Sequence, residues 1–402
     1  MARTLFENGA TLDKGARWLL VADGLIVDIG EDEPPFAEHR VDLGGDLLLP
    51  GLINSHTHLY SSLAGRLEWA TRPTEFVKIL EHIWWRLDRA LDENSIRVSA
   101  RLGLAEAIMH GCTTVIDHHS SPSFTEGSLD VLAEEAERLG VKLALAFEVS
   151  DRNGPELFRE GLVENQRAIY RYGGHESVRA LFGLHASFTL SDESLRSCAD
   201  ATDMPFHLHC AESESDLADA RERGYESVVD RLDKFGLLRE GSLLAHGIHL
   251  APGDAAKLAE RDCFLAHCPQ SNVHNRVGRA DVSGQRAAGI SVGLGTDGFL
   301  SGMLTEARFA AADGAGAAGL LYNGGAAIAS SIFERSVGRL EPGTDADFIT
   351  LDSASETPRV SRTVSRGRIL FDGSGLTGIE LEELEVMAAL EAEKVANRLQ
   401  SL

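Results

Sequence analysis

Eight apolar segments alternate with helix-length amphipathic stretches through the middle of the 402-residue chain, and each segment turns polar at its C-terminal end. Short β-branched runs with glycine turns flank this region at both chain ends. Together these observations predict an α/β protein: a (β/α)8 barrel with a small β-sandwich domain built from the two ends of the chain.

Near the start, "ARWLLVADGLIVDIG" places two apolar runs about an Asp-Gly pair, the pattern of a tight hairpin. Near the end, "DADFITLDS" and "RTVSRGRILFDG" are again short strands with a glycine turn. Residues 1–50 and 340–375 are therefore expected to form one composite β domain, with the barrel at 51–339 inserted between its halves. The barrel strands are read at LINSHTH (52–58), CTTVIDHH (112–119), KLALAFEVS (142–150) and VRALFGLHA (178–186). The second half follows with MPFHLHCAE (204–212), SLLAHGIHL (242–250), CFLAHCPQSN (263–272) and ISVGLGTDG (290–298). Helical stretches such as "SLDVLAEEAERLG" carry apolar residues at three- and four-residue spacing. The Ala/Gly-rich stretch after 298 reads as a flap or a reduced helix near the barrel mouth. The tail at 376–402 reads as a charged amphipathic helix that packs on the barrel or on a partner subunit.

Composition excludes several classes of function. Lys plus Arg number 38 against 62 Asp plus Glu, a formal net charge of -24. Such a surface repels nucleic acid and anionic membranes. The N-terminus lacks the apolar core of a signal peptide, and no apolar run is long enough to span a bilayer, so a cytoplasmic protein is expected. The five cysteines are scattered and form no CxxC pair or disulfide framework. The expected partner is a small molecule, and a homo-oligomer is expected because such folds commonly form one.

Chemistry concentrates at the strand ends: His56 and His58, Asp117 with His118 and His119, Glu148, His185, His209 and Glu212, His246, His267, and Asp297. In a barrel of this kind these ends share one mouth, where active sites are built. His56 and His58 stand two residues apart on a strand and so face the same way. Two imidazoles can bite one divalent ion, but a catalytic site needs three or four nitrogen and oxygen ligands. His209 and Asp297 are the best donors to complete the set, and His207, on the same face as His209, competes.

The motifs "PGLINSHTHLY", "HLHCAE", "LLAHG", "HCPQSN" and "GLGTDG" occur in this order, and the sequence resembles the amidohydrolase superfamily, in its cytosine deaminase and chlorohydrolase branch. Within it, "WWRLDRALDENS", "GCTTVIDHHSSP", "FEVSDRNG" and "SNVHNRVG" resemble SsnA-type aminohydrolases. The resemblance covers nearly the whole chain. It implies one divalent metal, zinc or else iron, on His56, His58, His209 and Asp297. The family's spacing puts a ligand three residues before a glutamate, which favours His209 over His207. The fourth strand ends in "FGLHASF", with His185 and no lysine, which disfavours a binuclear site bridged by a carboxylated lysine.

The expected reaction is deamination of a small purine-, pterin- or pyrimidine-like heterocycle, with hydroxide generated on the metal attacking the amino-bearing ring carbon. Glu212 would protonate the ring nitrogen, Asp297 would hold the water and relay its proton, and His246 would orient the water or the developing oxyanion. Substrate contacts are expected from His185, then His118, His119, Glu148 and Asn272. Trp84 and Trp85 either cap the pocket or belong to the core. Two rival readings are hydrolysis of a ring C–N amide or C–Cl bond, and a non-catalytic barrel binding a metal or metabolite. The second needs neither Glu212 nor His246.

Overall fold

Asp23 and Gly24 both adopt positive φ (53° and 80°), the geometry a two-residue hairpin turn demands. In the computed structural model, which describes residues 2–402 apart from 12–14, 16, 301, 313, 315 and 356, that turn joins two strands of the first sheet. The sheet holds β1 (Arg3–Glu7), β2 (Trp18–Ala22), β3 (Leu25–Gly30) and β4 (His39–Asp42) in the order β3-β2-β1-β4. The next strand, β5 (Leu47–Pro50), leaves it for a sheet made with the other end of the chain.

The barrel follows. One parallel sheet orders β6 (Leu52–Thr57), β7 (Cys112–Asp117), β8 (Lys142–Leu145) and β9 (Val178–Ala180). The second orders β10 (Phe182–Ala186), β11 (Phe206–Cys210), β12 (Leu243–His246), β13 (Phe264–His267) and β14 (Val292–Leu294). β9 and β10 are one barrel strand interrupted at Leu181, whose N–H donates to the Leu145 carbonyl (2.8 Å). A parallel bridge between Thr57 and Asp297 joins β6 to the segment after β14 and closes the ring. The strands are shorter than the sequence reading. β8 stops at Leu145, not Ser150, and β13 stops at His267. Pro269 then lacks the N–H a ladder needs but suits the first turn of a helix, which runs Pro269–Asn275.

The remaining strands, β15 (Phe348–Leu351), β16 (Val360–Ser365) and β17 (Arg368–Phe371), complete the sheet β17-β16-β15-β5. Both chain ends therefore share a core, in which Phe6 and Phe348 meet edge to face at 4.9 Å. The Ala/Gly-rich stretch is no flap among its described residues. It forms a helix Met303–Ala312 and a π-helical turn Gly319–Gly324 that continues as the helix Gly325–Phe333. A Cβ on Gly324 would lie 1.7 Å from the Val292 carbonyl oxygen, so glycine permits that turn to lie against β14. Residues 301, 313 and 315 of this stretch lie outside the described ones. The C-terminal helix Leu381–Leu399 buries Leu384, Ala388, Ala392 and Val395 in the main core and packs on the barrel helix Glu93–Met109. Among the described residues no helix is long and apolar enough to cross a membrane.

Candidate active site

Barrel closure brings the predicted donors together. Asp297 Oδ1 stands 3.5 Å from His56 Nε2 and 3.0 Å from His58 Nε2, and His58 Nε2 lies 3.1 Å from His209 Nε2. Donors about 2.1 Å from one tetrahedral ion are about 3.4 Å apart, so this spacing suits a shared cation. Hydrogen bonding on the far side of the rings says the same. His58 Nδ1–H donates to the His118 carbonyl (2.6 Å) and His209 Nδ1–H to the His185 carbonyl (2.9 Å). In the neutral rings both Nε2 atoms then carry lone pairs, and they face each other and the Asp297 carboxylate. A proton or a metal cation shared among them removes that repulsion. Burial lowers His58, yet the hydrogen bond and charge of Asp297 outweigh it and lift the imidazole to about 9. His56 Nδ1 meets His207 Nε2 at 2.9 Å, leaving His56 Nε2 buried with no hydrogen-bond partner. His207 thus sits behind His56, one layer from the cluster.

A second set of close donors overlaps the first: His56, His209, His246 and Asp297 offer atoms within 4.8 Å of one another. His246 is distinguished by its surroundings. Its Nδ1–H donates to Asn272 Oδ1 (2.9 Å), and its free Nε2 stands 3.6 Å from Glu212 Oε2. Burial holds its imidazole below the usual range. Burial and the charge of Asp297 push Glu212 well above the ordinary carboxylate range, which favours its protonated form. Asp297 behaves oppositely: burial opposes its ionisation, but His56 and His58 hold it well below that range. Its Oδ2 accepts from the Ser271 hydroxyl, which accepts in turn from Asn275 Nδ2 (3.2 Å). Both His246 (φ 75°) and Asp297 (φ 55°) hold left-handed backbone, the kind of local strain that clusters at functional sites.

The cluster floors a cavity that opens to solvent, with His58, His209, Glu212 and Asp297 among its lining. His185 and Glu148 line its wall, as expected. Three expected substrate contacts do not reach it. His118 is fully buried, its Nε2 committed to the carbonyls of Leu184 and His207. His119 turns the other way to Ser121 Oγ (2.8 Å), because neighbouring residues of an extended chain alternate in direction. Asn272 braces His246 instead, since it lies on a helix rather than a strand end. Ser271 and Asn275, four residues apart on one face of that helix, reach the cavity in its place. Trp84 and Trp85 do line it, with Phe76 and Leu80. The four-residue spacing of Phe76, Leu80 and Trp84 was a signal for that face. The π-helical turn Leu80–Trp84, which periodicity does not foretell, lets Trp85 join them. Arg152, four residues after Glu148, and Asp88, which the fold brings to Arg152, also escaped sequence reasoning.

The amidohydrolase family matches residues 47–370, and the chain belongs to it. It is 28% identical over 380 residues to the 5-methylthioadenosine/S-adenosylhomocysteine deaminase of Bacillus cytotoxicus, covering 88% of this chain and 84% of that one. It is 30% identical over 318 residues to the 8-oxoguanine deaminase of Pseudomonas aeruginosa, covering 72% and 70%. Among solved structures, an adenosine deaminase from Xanthomonas campestris with bound zinc superposes with a TM-score of 0.86 at 20% identity over 99% of both chains. The zinc complex of atrazine chlorohydrolase from Arthrobacter aurescens TC1 gives 0.81 at 22% identity, over 97% of this chain and 100% of that one. Likeness at such identity shows the shared barrel. The family and the sequence relatives make this protein a metal-dependent hydrolase acting on carbon–nitrogen bonds.

Proposed function

We propose that the protein is a zinc deaminase of a free, fused-ring purine-like base or nucleoside, with His56, His58, His209 and Asp297 holding the ion. The observation that carries this reading is the convergence of His56, His58, His209 and Asp297 on one point, with the Glu212 carboxyl lining the same cavity 3.6 Å from His246 Nε2. Zinc is favoured by the donor set of imidazoles and one carboxylate. The bound zinc named for the adenosine deaminase and chlorohydrolase structures supports the same choice. A purine-like ring is supported by the names of the sequence relatives. A small substrate suits the cavity and the acidic chain.

A divalent ion held there supplies water activated near neutral pH. The side chains do the rest. Glu212, whose burial favours the protonated form, donates to the ring nitrogen beside the reacting carbon, so that negative charge does not build up there. His246, fixed by Asn272, keeps its Nε2 lone pair free to accept a hydrogen bond from the attacking water. Asp297 is oriented by Ser271 and takes up the water's proton for delivery to the departing amine. The water oxygen replaces the amino nitrogen on the ring carbon, and ammonia leaves. Trp84, Trp85, Phe76 and Leu80 supply flat apolar walls for the ring.

The test is ammonia release by zinc-loaded protein across aminopurines, aminopterins and aminopyrimidines. Release from a purine-like member, lost at least 100-fold in Glu212→Gln with metal content unchanged, is expected. Silence across the panel with metal bound would sink the reading.

A further inference from the structure

We propose that Glu148 and His185 form a two-acceptor subsite that selects substrates carrying two neighbouring hydrogen-bond donors. The inference rests on the deaminase reading and adds the substrate feature that reading leaves open.

The protonation pattern follows from the neighbours. His185 Nδ1 lies 2.8 Å from Thr189 Oγ1, and that hydroxyl donates its own proton to the Ala186 carbonyl (2.9 Å). Thr189 must therefore accept from Nδ1–H, which leaves a lone pair on His185 Nε2. Glu148 Oε1 stands 3.7 Å from that nitrogen and accepts from Arg152 Nη2 at 2.7 Å. The same Arg152 nitrogen reaches Asp88 Oδ2 at 3.0 Å, and the guanidinium lies over the Trp85 ring at 4.9 Å. One guanidinium thus faces two buried carboxylates, and the arginine is already spent. Glu148 Oε2 has His118 Nδ1 3.5 Å away, behind the wall.

Two acceptors with no proton between them consequently share the cavity wall, within 4.8 Å of a His209 nitrogen. A ring edge with an N–H beside an amino group satisfies both, and so does the vicinal diol of a nucleoside. A carbonyl oxygen, a halogen or an N-methyl group placed there meets lone pairs or leaves a buried acceptor without a second donor. Leaving such acceptors unpaired is what gives hydrogen-bonding sites their large discrimination.

The experiment compares kcat/KM of the metal-loaded full chain on matched pairs. One pair is a purine with a donor edge and the same ring lacking those hydrogens; the other is a nucleoside and its 2′,3′-dideoxy form. The donor-bearing member is expected to lead by roughly tenfold or more, and Glu148→Gln to shrink that ratio by roughly tenfold. A preference among free bases assigns the donors to the ring, and one seen only among nucleosides assigns them to the sugar. Equal rates within both pairs in the unmutated protein overturn the proposal. So does a Glu148→Gln variant slowed equally on all substrates, which would leave Glu148 a brace for Arg152. Two metal equivalents per chain would also overturn it, since a cation would fill the gap. Should no heterocycle be deaminated, the deaminase reading fails by itself. Dissociation constants for the same pairs, measured by calorimetry on metal-loaded protein, then still show or fail to show the ratio.

Discussion

Each imidazole at the floor of the cavity has its chemistry set by what binds its far nitrogen. Carbonyls fix Nδ1–H on His58 and His209, which turns two lone pairs toward each other 3.1 Å apart. An ion that binds only the folded arrangement adds its binding free energy to stability, so metal should stabilise the whole chain. Zinc at about 100 times its dissociation constant is expected to add about 2.7 kcal/mol, read as a rise in melting temperature after chelation and reloading. Asp297→Asn keeps the shape and removes the charge, and should lose most of that rise. An unchanged rise in the variant would remove Asp297 from the ligand set. Asn272 acts one residue further out. Asn272→Ala frees His246 Nδ1, and about a 10- to 100-fold fall in kcat is expected with metal content and KM little altered. A fall confined to KM would return Asn272 to a substrate contact.

At the scale of elements, the strand ends and the turns just after them carry the site. The hydrophobic-to-polar switch along each strand made His56, His58, His209, Glu212, His246 and Asp297 legible, because parallel strands of a barrel all end at one mouth. The substrate wall was less legible. Asn272 follows its strand in a helix, where period-two alternation no longer says which way a side chain points, and His119, next to His118 on extended chain, faces the opposite side. Arg152 and Trp85 come from segments whose meeting is decided by tertiary packing. The turn after β11 shows how such a segment is held: Ala211 sits at φ 50°, and its N–H donates to Asp216 Oδ2 (2.8 Å) from the helix Glu214–Glu222. Burial pushes the Asp216 carboxyl up to about 7. Below about pH 4 it is protonated in the folded and unfolded chains alike. From there up to about 7 the unfolded chain releases the proton and the folded chain keeps it, so this group's contribution to stability falls as pH rises. Above about 7 the loss is complete. Asp216→Asn should therefore gain on the unmutated protein between pH 4 and 7 in denaturant melts, and by a constant amount above; a difference independent of pH would refute the shift.

Across the whole molecule, two domains are tied by charges that neither could bury alone. The composite domain was legible because its Asp-Gly and Arg-Gly turns mark hairpins at both ends, and β5 pairing with β15 makes them one sheet. What the sequence did not reveal is how that domain grips the barrel. Lys142, at the start of β8 and far from the mouth, is fully buried with Nζ 3.0 Å from Asp345 Oδ2 and 2.5 Å from Asp347 Oδ2. Arg335 also reaches Asp345 at 2.9 Å, whereas Asp347 has Lys142 as its cation and receives the Arg366 N–H. Removing the ammonium strands a buried carboxylate, while the pocket at the opposite barrel end keeps its geometry. Lys142→Met is therefore expected to cost about 3–5 kcal/mol in urea denaturation. Turnover per folded molecule should hold to within about twofold, as stabilising and catalytic ends are separate in this architecture. The double change Lys142→Met with Asp347→Leu should recover much of the loss, because a pair replaced by apolar groups leaves no charge unpaired. Failure of the double variant to recover would mean that Lys142 stabilises through its packing alone, and the two domains would then be joined by shape rather than by charge.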